Sequence, residues 1–287
     1  MPLRRARDAL LAALGPDAQV EHRPRHTRVG ALRFDVRVGD RRLWATVASG
    51  PEEEHALARW ARVAGILAER HGAPPVVEAL DIAGHTALLL PHLDARPADR
   101  SALRARYDEA DDLLAGLHAD TELAQLLGGP STTAACFRSV WLERFVTELA
   151  RVEGYVAKDL HSFLADEVDA LAELVDRLDH PVHSTVHGDP RHERWLVAAD
   201  RLWLLDWDAV AVGDPVVDDA VLRIDALGSD PHHWPDEPRY AVARRALLLG
   251  AVVDGAAAWV AHTDPVARRR NEAAYVAAVE TYRDEFR

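Results

Sequence analysis

One stretch limits the possible folds of this 287-residue chain more than any other. It runs Val186-His187-Gly188-Asp189, then Leu205-Asp206-Trp207-Asp208, then Gly213-Asp214-Pro215, with Asp206 seventeen residues after Asp189. The apolar segments between the acidic clusters read as short strands, which puts the clusters on the connecting loops. Two carboxylates presented from adjoining strand ends suit phosphoryl transfer, which needs a positioned hydroxyl and charge neutralisation more than covalent help. The site would then depend on loops held by a folded scaffold, so the rest of the chain must supply one.

That scaffold divides in two by pattern. Residues about 31–38 (ALRFDVRV) and 42–48 (RLWATVA) alternate apolar and polar residues, and Gly39-Asp40 between them is a hairpin signal because both residues tolerate positive φ. Residues about 52–71 have helical periodicity, opened by Pro51 and three glutamates that suit a helix N-terminus. Apolar runs at Val76–Leu80 and Thr86–Leu90 follow, separated by a turn at Ala83-Gly84. The N-terminal MPLRRARDALLAALG reads as an amphipathic helix with Leu3, Leu10, Leu11 and Leu14 near one face. Beyond Pro91 the pattern is mostly helical, roughly 99–119, 135–153, 160–178, 214–227, 237–262 and 267–285. The expected architecture is α+β and bilobal. It comprises an N-terminal lobe over 1–90, a hinge at 91–97 and a helical C-terminal lobe over 98–287 that carries the loops and a substrate cleft.

Composition narrows the setting. No run approaches the ~20 apolar residues needed to span a bilayer. The lone Cys136 excludes an intramolecular disulfide, fits a reducing cytoplasm and reads as a buried apolar filler. Residues 98–287 hold 20 Lys+Arg against 35 Asp+Glu, which argues against nucleic acid and suits a cationic small ligand. No heptad or sticky edge stands out, which leaves a monomer as the default.

The order and spacing of these motifs resemble the aminoglycoside phosphotransferase family, which shares the protein-kinase-like fold. Its signature H-G-D-x-x-x-x-N, I-D-W-[DE] and G-D-P-x-x-D is matched by VHGDPRHERWLV and RLWLLDWDAVAVGDPVVDD, and Leu117-His118 fits the end of the helix before the catalytic loop. The resemblance implies a nucleotide, ATP or GTP, with Mg2+. Asp189 takes the catalytic-base position and Asp206 the metal-ligand position. His187, Asp208, Asp214 and Asp218 are expected to be structural, Asp214 as a helix cap and Asp218 as a brace of the catalytic loop, and Trp195, Trp203 and Trp207 to be core. In the N-lobe, Trp44 aligns with the base-stacking position and Thr46 with the phosphate-binding lysine, on one strand face. Glu53, with Glu54 second, aligns with the acid that pairs with that lysine, and Leu90 to Leu93, including His92, form the hinge that recognises the base.

The match departs from the family in three places. Arg194 stands where the metal-binding asparagine belongs, and a guanidinium cannot coordinate Mg2+. Thr46 replaces the lysine. No glycine-rich phosphate loop is present, although Arg25, Thr27 and Arg28 in the first hairpin are placed to contact phosphates, Arg194 to reach one directly, and His192 or Glu193 to enter the metal shell. Two readings stay open. One is an O-phosphotransferase acting on a hydroxyl of a small substrate, such as a cationic antibiotic or a secondary metabolite, in resistance or biosynthetic tailoring. The other is a catalytically impaired kinase-like module that binds a ligand, peptide or biosynthetic partner without transfer.

Overall fold

The computed structural model of the protein describes residues 1–23, 31–128, 131–262 and 264–286. It divides into two compact units, Met1–Gly129 with Ser184–Ala211, and Pro130–His183 with Val212–Arg287.

The first unit is built on a five-stranded sheet of β1 (Ala18–His22), β2 (Leu32–Val38), β3 (Arg41–Val47), β4 (Glu78–Asp81) and β5 (Thr86–Pro91), in the order β1-β2-β3-β5-β4. All of its neighbours are antiparallel. Strand alternation decides which residues meet the core. Leu43, Ala45 and Val47 face inward with Phe34, Val36 and Leu89, and pack against Ala6 and Leu10 of helix α1 (Leu3–Leu14). Leu3, expected on that apolar face, is 41% exposed, and Ala6 is buried instead. The other face of β3 carries Trp44 and Thr46. Gly39 takes φ 58° in the two-residue hairpin that pairs Val38 with Arg41. Asp40 stays at negative φ, so the turn needs only its first residue left-handed.

Helix α2 (Pro51–Arg70) follows with Pro51 at its first position and Glu52, Glu53 and Glu54 in its first turn. It buries Leu57, Trp60, Val63, Ala64 and Leu67, and packs on β5 and on the turn Trp207–Ala209. A smaller sheet in the same unit pairs Trp195–Val197 with Leu202–Leu204 on one side and Arg96–Pro97 on the other. Trp195 and Trp207 are fully buried, as the sequence led us to expect, and their indole N–H groups donate to Pro190 O and Leu204 O at 2.8 and 2.7 Å. Trp203 is only half-buried, because it points to the outer side of the short strand, where Arg201 stacks 5.0 Å from its ring centroid.

The second unit is helical. Its longest helices, Pro238–Ala261 and Pro265–Phe286, pack on each other, and its core joins Phe137, Phe145, Leu164, Leu171, Val217 and Leu249. The segment expected as one helix over 135–153 is broken by a π-turn at Arg138–Leu142. Asp214 is completely buried and accepts from Val216 N at 3.0 Å and Thr133 Oγ1 at 2.5 Å, which bears out the capping role. Cys136 is buried, and burial pushes its thiol up to about 11, so it is an inert filler. No helix among the described residues is long and apolar enough to cross a membrane.

Candidate active site

The short hairpin of the first unit brings the acidic motifs together. Trp195 pairs with Leu204, and the backbone N–H of Leu205 donates to Arg194 O at 2.8 Å. Arg194 therefore stands beside Asp206 although twelve residues separate them. Its guanidinium forms a short ion pair with Asp206 Oδ2 and lies 3.3 Å from Asp189 Oδ2, so a single side chain bridges both carboxylates. Arg191 Nε donates to Asp189 Oδ1 at 2.6 Å. Arg33 of β2 closes the arrangement with a short ion pair to the other oxygen of Asp206.

Electrostatics follows from this packing. Burial lowers the pKa of Arg194, but Asp206 and Asp189 outweigh it, and the net shift is upward. Asp208 moves the opposite way from a paired acid. Burial, and next the charge of Asp206, raise its pKa against the pull of Arg33 and Arg194. Three guanidiniums, of Arg33, Arg191 and Arg194, thus converge on the paired carboxylates of Asp189 and Asp206, with the Asp208 carboxyl close by.

Backbone conformation marks the same place. Asp206 sits in the left-handed region at φ 68° and ψ 55°, which costs a non-glycine residue about 1–3 kcal/mol and persists only where its surroundings hold it. His187 is one support. Its Nδ1 accepts from Asp189 N at 3.2 Å, which leaves Nε2 as the N–H that donates to Leu205 O at 2.8 Å, while the ring packs edge-on against Trp207. Gly188, at φ 90°, is another, since a Cβ there would meet Ala209 Cβ and O at 3.1 Å. Arg59 of α2 donates to Asp208 O at 3.0 Å and ties the helix to the loop.

A cavity of about 330 Å³ opens beside these residues, within the size range of small-molecule sites. Trp44, Thr46, Leu90 and Asp206, all singled out from sequence, line it together, as do His192 and Glu193. Asp189 and Arg194 are not in its wall and join it through the ion pairs of Arg194. His92 lines an adjoining cavity of about 610 Å³, which also reaches Trp44, and the two rings lie 5.3 Å apart. Glu53 does not line either cavity and turns back toward Gly50, while Glu54 accepts from Thr86 N at 2.8 Å. Arg25, Thr27 and Arg28 lie outside the described residues.

Trp60 and Arg33 are among the wall residues that did not stand out in the sequence. Trp60 of α2 lines the cavity with its buried indole N–H unpartnered among the described residues, and Arg33 does so with its buried Nε likewise unpartnered. Trp60 lies at helical spacing with the buried Leu57, Val63, Ala64 and Leu67, and Arg33 lies between Leu32 and Phe34 in β2, so neither position carries a motif.

A nucleotide fits these surroundings, whose wall combines the aromatic and apolar Trp44, Trp60 and Leu90 with the cation of Arg33. Among the described residues no group of three or more His, Cys, Asp or Glu is poised to hold a metal. Asp206 has the carboxylate through which Mg2+ is commonly bound together with phosphate oxygens and water, and in this structure both of its oxygens are paired, with Arg33 and Arg194.

Residues 23–265 match the model of the phosphotransferase enzyme family. The chain belongs to that family. Its fold matches a thermostable mutant of aminoglycoside phosphotransferase APH(4)-Ia at TM-score 0.64 and 15% identity, covering 96% of this chain and 98% of the other. Macrolide 2'-phosphotransferase MphH from Brachybacterium faecium matches at 0.53 and 19%, covering 94% and 97%. Spectinomycin phosphotransferase APH(9)-Ia, solved with ADP and spectinomycin, matches at 0.54 and 12%, covering 94% and 89%. No curated protein matches the chain in sequence. These likenesses establish the bilobal, kinase-like fold that the motifs imply, with a strand-rich N-terminal sheet and a larger helical part.

Proposed function

We propose that the protein transfers the terminal phosphoryl group of ATP or GTP to a hydroxyl of a small molecule. The observation that carries this reading is the convergence of Trp44, Thr46, Leu90 and Asp206 on one cavity, with Asp189 joined to Asp206 through Arg194. The ADP-bound spectinomycin phosphotransferase with the same fold adds support for nucleotide use.

In this mechanism Trp44 and Leu90 hold the base, with His92 at the edge of the stacking indole. Asp189, oriented by Arg191 and Arg194, accepts the proton of the substrate hydroxyl as the hydroxyl oxygen attacks the terminal phosphorus and the bond to the departing nucleoside diphosphate breaks. Asp206 would hold Mg2+, which when bound supplies neutralisation of the transferring phosphate. The acidic second half of the chain favours a cationic acceptor such as an antibiotic or a secondary metabolite, and resistance or biosynthetic tailoring as the setting.

The test is nucleotide-dependent phosphorylation across a panel of hydroxylated antibiotics and metabolites, with Asp189→Asn as the control. Transfer that survives undiminished in that variant refutes the mechanism. One observation favours the alternative of a binding module without turnover: guanidiniums occupy both oxygens of Asp206 and both of Asp189. Calorimetry separates the two, because tight magnesium-dependent nucleotide binding counts against the module.

A further inference from the structure

We infer that Arg33 has taken over the task of the missing β3 lysine and binds the phosphates of the nucleotide from the neighbouring strand. The inference rests on the phosphotransferase reading and gives it a cation that the motif lacks.

The ladder between β2 and β3 sets Arg33 directly opposite Thr46. Directly paired residues of antiparallel strands point to the same face, with Cβ atoms about 4.5–5.5 Å apart. A cation lost at position 46 is therefore present one strand away on the same surface. Register also explains why a different substitution would not serve: Leu32 and Phe34, the residues flanking Arg33, point to the opposite face, where Phe34 is core.

The side chain has the right reach and the right spare capacity. It lines the cavity that also holds Trp44, Leu90 and Asp206, and it reaches Asp206 Oδ1. Only 20% of the side chain is exposed, and its Nε has no partner among the described residues. A guanidinium cannot shed its charge, and it carries five N–H donors in a planar fork that suits phosphate oxygens. Among the described residues its one ion pair is with Asp206 Oδ1, and Nε has no partner. Asp206 is in addition shared with Arg194, whose guanidinium takes its other oxygen, so Asp206 does not depend on Arg33 alone. Arg23, a further arginine in the wall, is already placed over the Trp44 ring at 5.3 Å and belongs to the base end. Phosphates that take Arg33 would also release one oxygen of Asp206.

The experiment is calorimetry with Mg2+ present, using adenosine, ADP and ATP, and the guanosine series in parallel, on wild type, Arg33→Gln and the double variant Arg33→Gln/Thr46→Lys. Arg33→Gln is expected to weaken the di- and triphosphate at least tenfold while leaving the nucleoside within twofold, and the positive charge that Thr46→Lys adds is expected to restore most of the loss. Equal triphosphate affinity in Arg33→Gln overturns the inference. A parallel loss of nucleoside affinity overturns it too, because the arginine would then be holding the cavity's shape. If wild type binds no nucleotide in either series, the phosphotransferase reading fails and takes the inference with it. Binding by wild type that ignores Arg33 sinks the inference alone.

Discussion

Replacing Asp206 by asparagine isolates the charge that organises the site. Asparagine has nearly the same shape and tolerates the left-handed backbone that Asp206 adopts at φ 68°, so the turn itself need not change. What disappears is the negative charge between Arg33 and Arg194. The Asp206 side chain is 9% exposed and its partners 20% and 14%, so solvent screens the pair little. Removing one member of a buried ion pair typically costs about 3–5 kcal/mol, because the survivor is left buried and uncompensated. Here Arg194 keeps Asp189 at 3.3 Å while Arg33 is left with no other carboxylate in an ion pair among the described residues. We expect about 3 kcal/mol, the lower end of that range. Urea unfolding followed by tryptophan fluorescence is the assay, since Trp195 and Trp207 are fully buried in the same unit. A lower midpoint with an unchanged denaturant slope is the expected signature. A loss below about 0.5 kcal/mol, the range of an ordinary surface substitution, would refute the claim that these guanidiniums depend on Asp206.

Other outcomes follow from the same geometry. Arg194→Met should cost less than Asp206→Asn in the same unfolding assay, because Asp206 retains Arg33 and Asp189 retains Arg191. Trp44→Ala should weaken nucleoside binding by about 1–3 kcal/mol in calorimetry, the usual value of a lost base–aromatic stack. Gly188→Ala should destabilise by about 1–3 kcal/mol, measured by the same urea titration, because φ 90° and the 3.1 Å approach to Ala209 both oppose a Cβ. For Asp208 the folded-state pKa lies above the ordinary carboxylate value. Its contribution is fully present below that ordinary value and is lost as pH rises through the raised one. The stability of wild type relative to Asp208→Asn should therefore decline across that window, and a flat difference would contradict the buried-carboxylate assignment.

Much of the scaffold was readable because it rests on local rules. Alternation in RLWATVA put Trp44 and Thr46 on one face, Pro51 with its glutamates opened α2, and the acidic motifs fell at the ends of short strands, all as found. The π-turn at Arg138–Leu142 was not readable, since its residues carry ordinary helical periodicity. The spacing of Arg194 and Asp206 held a usable signal: pairing WLV with LWL across the Asp200-Arg201 turn already sets the two side by side.

The identity of the acidic residues, their order and the departures at Thr46 and Arg194 are properties of the chain read in one dimension, because each depends on residue type and spacing. The partner of Asp206 is not. Arg33 lies 173 positions away, and no periodicity links two segments that meet only when Ser184–Ala211 packs back onto the first unit. The left-handed turn at Asp206 and the donors of Trp60 and Arg33 that are unpartnered among the described residues belong to that level too. Ion pairs and strained turns form where packing forces charges and backbone into a common space, and that space exists only in the folded molecule.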